Sequence, residues 1–116
     1  MVISDGLALT SYTRDVHYDG WIGREAHLYV LAYARFQSML VGLWIPDSFA
    51  PRDVSLSCEG WVGKARLAPG ELSEIALPCR PPHGGVGLRI CIPSAQASPP
   101  DERILGAMLH ALTGVP

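Results

Sequence analysis

Hydrophobic side chains recur at every second position through several stretches of the chain, the spacing of strands that bury one face. From Ala26 to Ala34, one face holds Ala26, Leu28, Val30, Ala32 and Ala34, and the other His27, Tyr29, Leu31 and Tyr33. Met39, Val41, Leu43 and Ile45 share a face opposite Leu40, Gly42 and Trp44. Val54, Leu56 and Cys58 alternate with Ser55 and Ser57, and Val86, Leu88, Ile90 and Ile92 alternate with Gly87, Arg89 and Cys91. Shorter strands are predicted over 7–12, 62–67 and 71–77.

Turn chemistry separates these runs. Asp19-Gly20 and Pro69-Gly70 are turn dipeptides, Pro46-Asp47-Ser48 stops a strand, and Glu59 to Gly63 reads as a hairpin tip leading into a new strand. Pro81 to Gly85 and Ser94 to Pro100 read as loops. Two stretches argue the other way. Arg24 to Val41 contains no Gly or Pro and is rich in good helix formers. Asp101 after Pro99-Pro100 is placed as a helix cap, with Gly114 as a stop. Propensity alone allows helices at both.

Composition bounds the answer. The chain has 116 residues, 48% hydrophobic and 17% charged, which predicts one packed domain over 1–116. The 12 Gly and 10 Pro favour many short strands. A net charge of −2 supplies no basic stripe for phosphate backbones, so no nucleic-acid partner is expected. The best apolar run, Leu40 to Ile45, is strand-sized, so no membrane span is expected. The opening Met1 to Asp5 has no charged leader region, so a cytoplasmic location is expected. Cys58, Cys79 and Cys91 fit no zinc or redox spacing; they read as buried small hydrophobes, with one bridge open to them in an oxidising compartment.

Candidate chemistry is sparse. The four histidines show neither H-x-x-x-H nor H-E-x-x-H, and no Asp-rich loop stands out, so no metal site is assigned. There is no G-x-S-x-G, P-loop or dinucleotide fingerprint, so neither catalysis nor a cofactor is expected. What remains is aromatic. His27, Tyr29, Tyr33, Trp44, Ser55, Ser57 and Arg89 fall opposite the core parity and are gathered into one expected surface. A pyranose ring stacks its C–H face on such rings while Arg, Ser and His bond its hydroxyls. Trp21 and Trp61 recur in similar G-W-x-G frames, either as stacking platforms or as plugs at the ends of the domain. The expected ligand-binding set is Trp21, Tyr29, Tyr33, Trp44, Trp61 and Arg89.

The segment Asp19-Gly20-Trp21-Ile22-Gly23-Arg24-Glu25-Ala26 resembles the D-G-W-x-G-x-x-A opening of a β-sandwich domain attached to bacterial glycosyltransferases of surface polysaccharide synthesis. The family's closing segment is matched by Asp101-Glu102-Arg103-Ile104-Leu105-Gly106-Ala107-Met108-Leu109. Between them lie Leu43-Trp44-Ile45-Pro46, Leu67-Ala68-Pro69-Gly70-Glu71-Leu72 and Ala76-Leu77-Pro78, in the family's order. The resemblance implies an all-β, two-sheet antiparallel β-sandwich of the jelly-roll kind, and strands in place of both helices. It implies a carbohydrate-related accessory module whose partner is a glycan or a glycosyltransferase. The alternative is a protein-interaction or homo-oligomerisation module, with Leu31, Leu40 and Trp44 as its apolar patch. Salt bridges are predicted between Asp101 or Arg103 and the region of Arg24 and Glu25.

Overall fold

The computed structural model describes residues 1–78 and 85–116, and within them every regular element is a strand. In chain order these are β1 (Val2–Ile3), β2 (Leu7–Leu9), β3 (Arg14–Val16), β4 (Trp21–Ala32), β5 (Ser38–Trp44) and β6 (Arg52–Cys58). They continue with β7 (Trp61–Leu67), β8 (Leu72–Leu77), β9 (Val86–Cys91), β10 (Gln96–Ser98), β11 (Asp101–Leu105) and β12 (Ala107–Val115). Neither stretch with helical propensity forms a helix. Residues 24–41 split into β4 and β5 around a bend, and 101–113 into β11 and β12. Burial of an alternating apolar face outweighs the small propensity differences.

One long sheet runs in the order β7-β6-β9-β4-β12-β5-β8, with β1, β2 and β3 attached to it. Strand β4 explains its shape. Along one edge it pairs with β9 through Glu25–Val30. On that same edge β12 takes over at Ile22 and Trp21, then leaves to pair with β5. The opposite edge is covered by β2 and β3. The sheet therefore folds over on itself as a nearly closed, barrel-like wall, and β10 with β11 adds a small second sheet. The loop expected over Ser94–Pro100 thus contains a strand. The Pro81–Gly85 loop lies outside the described residues apart from Gly85.

The buried set follows the sequence alternation: Ala26, Leu28 and Val30 of β4, Met39, Val41 and Leu43 of β5, Val54 and Leu56 of β6, and Leu88 and Ile90 of β9 join one core cluster. Each fully buried Leu, Ile or Val contributes about 1.5–3 kcal/mol, so this single core dominates the fold's stability. The hairpin tip between β6 and β7 is Glu59-Gly60, both at positive φ (48° and 82°), the twist that suits a two-residue connection. Gly106 is fixed by crowding. A Cβ there would lie 2.5 Å from the Gly23 carbonyl oxygen, against the β4 edge where β12 begins.

Arg103 ties the two motif segments together. It grips Asp101 within β11 and reaches the Asp19 carboxylate before β4 at 2.9 and 3.1 Å. The ion pairs expected between these regions thus form through Asp19. Arg24 instead donates to the Ala95 carbonyl, and Glu25 pairs on the outer face. Hydrogen bonds from Arg103 hold Asp101 down at about 2 and lower Asp19 as well, while the two carboxylates raise Arg103. The cysteines differ from one another: Cys58 is disulfide-bonded, Cys91 is a half-buried free thiol, and Cys79 lies outside the described residues.

Candidate functional site

Strand register assembles a polar row across the outer face of β3, β4, β9 and β6. Arg14 stands opposite His27, His27 opposite Arg89, and Arg89 opposite Ser57. The neighbouring row sets Glu25 beside Cys91 and Ser55. The Glu25 carboxylate accepts from Arg89 Nη2 at 2.5 Å and lies 3.3 Å from His27 Nε2, so it orients both. All three side chains are about half exposed, which leaves their remaining donors open to solvent.

On the other side of the row, Tyr29 faces Gly87. A glycine there leaves the space beside the Tyr29 ring empty, and a hollow of 280 Å³ opens between Tyr29, Arg89, Ser57 and the hairpin tip at Gly60 and Trp61. Tyr12 meets Tyr29 edge-on, with centroids 6.1 Å apart, and holds the ring upright. The Tyr29 amide donates to Thr13 Oγ1, which fixes that loop against β4. Trp61 lies over Gly63 with its ring packed against the core, forming the rim of the hollow.

Known proteins provide no match to the chain: no family model, no curated protein and no solved structure. The site therefore stands on its geometry.

Of the expected ligand-binding residues, Tyr29, Arg89 and Trp61 come together at this hollow. The others lie elsewhere. Trp21 packs against Phe49 at 5.9 Å, at the start of β4. Tyr33 falls in the bend after β4, where its amide donates to the Gly6 carbonyl, and its ring is exposed. Trp44 points outward from β5 between Leu72 and Met108, on the other half of the sheet. The single surface expected to unite Tyr29 with Trp44 is thus two surfaces. Parity tells which side chains point out, but strand order decides which of them are neighbours.

Tyr12 and Arg14 were not legible as site residues. Tyr12 lies at the end of the strand predicted over 7–12, of which only Leu7–Leu9 forms β2, and Arg14 lies in β3, which Asp15 at φ 61° bulges between Arg14 and Val16. Chemically the face offers an aromatic platform, two guanidinium groups, an imidazole and hydroxyls around the Glu25 carboxylate, with Glu59 also lining the hollow. No group of three or more His, Cys, Asp or Glu side chains among the described residues could hold a metal. No helix among them is long and apolar enough to cross a membrane.

Proposed function

We propose that this chain is a non-catalytic, carbohydrate-related accessory or binding module that takes a glycan on the outer face of β4, β9 and β6. The observation that carries the reading is the Tyr29 platform beside Arg89, His27 and Ser57, with Gly87 keeping the space next to the ring open. Stacking on Tyr29 supplies the apolar contact of a sugar, and the row of donors supplies its hydroxyl partners. Glu25 serves to orient donors, so the reading calls for neither an acid–base pair nor a cofactor. A jelly-roll-like sandwich is the finer fold proposed for the barrel-like wall. A role beside a bacterial glycosyltransferase rests on the motif resemblance. The Asp19–Arg103 pair gives the opening and closing motifs a shared structural reason. A disulfide at Cys58 favours an oxidising compartment over the expected cytoplasm.

The test is an NMR titration of the labelled protein with sugars of bacterial polysaccharides. Saturable shifts at Tyr29, His27, Arg89 and Gly87 are expected, and their absence at millimolar sugar sinks the reading.

A second reading, association with another copy of the chain, is favoured by the outer face of the other half. There Trp44 stands between Leu72 and Met108, and Leu72 is 46% exposed. Light scattering decides it: a dimer that becomes a monomer in Trp44→Ser supports association, and a wild-type monomer removes it.

A further inference from the structure

Among the described residues, the buried polar or charged set consists of Arg52 alone, at the start of β6 and 5% exposed. A guanidinium keeps its charge in a protein interior, so burial demands compensation. Nη1 donates to the carbonyl oxygens of Leu105 and Gly106, each at 2.6 Å, which staples β6 to the β11–β12 junction. Phe49 lies beneath the group, 4.3 Å from its Cζ. No carboxylate of the described residues pairs with it. Burial without a countercharge pulls its proton affinity below the ordinary arginine value.

The contrast with Arg103 is direct, since that guanidinium is saturated by two carboxylates. In Arg52 the bonds from Nη1 are the ones formed, and Nε and Nη2 make none. Yet no buried side-chain nitrogen or oxygen among the described residues lacks a partner, so these two nitrogens meet open space. Arg52 and Phe49 line a cleft of 510 Å³ together with Ser48, Ser94, Gln96 and Ser98. No acidic side chain lines it. Its volume is that of a small-molecule site, well above what one bare anion fills.

We infer that this cleft binds an oxyanion carried on a small polar molecule, the anionic group seated on the free edge of Arg52 and the rest of the molecule bonded by the serine hydroxyls and Gln96. The edge formed by Nε and Nη2 presents parallel donors, the geometry that suits carboxylate or phosphate oxygens. The charge that the fold leaves uncompensated is compensated when the ligand arrives. A sugar acid and a sugar phosphate share this chemistry. The inference is independent of glycan recognition at Tyr29, because the lining residues are different.

The experiment titrates the full chain with glucuronate, glucose 1-phosphate and glucose at constant ionic strength, following backbone amide shifts. Saturable shifts at Phe49 and at 94–98 are expected with at least one of the two anions, and which anion saturates identifies the source. Glucose leaves these amides unmoved. Arg52→Met strips two carbonyl oxygens of their donor and risks the fold, so the deciding variant is Gln96→Glu. It places a carboxylate in the cleft, keeps the Arg52 staple, and is expected to weaken anion binding at least tenfold with an unchanged melting temperature. Arg89→Ala, on the outer face, leaves anion binding intact. Failure of both anions to saturate, equal shifts with glucose, or full affinity in Gln96→Glu overturns the inference.

Discussion

Across β4 and β9 the outward side chains are Glu25, His27, Tyr29 and Arg89; across β12, β5 and β8 they are Met108, Ala111, Thr113, Leu40, Trp44, Leu72, Glu74 and Ala76. Beneath both faces lies the same kind of inner layer, Leu28 and Ile90 under the first and Val41 and Leu43 under the second, all in one core. The inner faces are interchangeable in chemistry because they answer one demand, the exclusion of water. The outer faces answer no such demand and are free to diverge. One half presents rings and charges around an open hollow. The other is mostly apolar around Trp44, with Glu74 exposed between Leu72 and Ala76.

The sharpest way to break this comparison is to ask whether the halves share stability as they share a core. Leu28→Ala and Leu43→Ala are each expected to cost about 2–5 kcal/mol, since both side chains are fully buried. Denaturant unfolding should remain a single transition in both variants. Two separate transitions, with one half surviving the other, contradict a single core.

A smaller effect tests the tie between the chain's two motif segments. Asp101 is held at about 2, below its ordinary 3.8, and Asp19 is also lowered. A carboxylate depressed by folding contributes stability that is complete above its unfolded value. That contribution is lost as pH falls through the folded one. The melting temperature should therefore drop as pH falls from about 4 to about 2, and Arg103→Met should flatten that part of the profile. A profile of unchanged slope in the variant contradicts this account of Arg103.

The alternation of Ala26, Leu28 and Val30, and of Val86, Leu88 and Ile90, was sufficient to place the core, because period 2 is a local property of the chain. The turn at Glu59-Gly60 was legible for the same reason. The short strands β1, β3 and β10 were not: β1 is ordered by Ala111 and Leu112, far away in sequence, while β3 and β10 are three residues long and broken by register shifts, too short and irregular to show alternation. Arg52 offered no sequence signal either. It stands between Pro51 and Asp53 outside any alternating run, and the carbonyl oxygens of Leu105 and Gly106 accept from it in the fold. The site was half legible. Tyr29 and Arg89 were found by parity, while the separation of Trp44 from them depends on the order of strands in the sheet.

The most direct test of the central claim sets one face against the other in a single binding measurement. With a sugar that saturates the wild-type protein, Tyr29→Ala is expected to lose about tenfold in affinity or more, as removal of a central aromatic contact does. Trp44→Ala, on the outer face of the other half, should leave affinity unchanged. Equal loss in both variants, or full affinity in Tyr29→Ala, contradicts glycan recognition at the Tyr29 hollow.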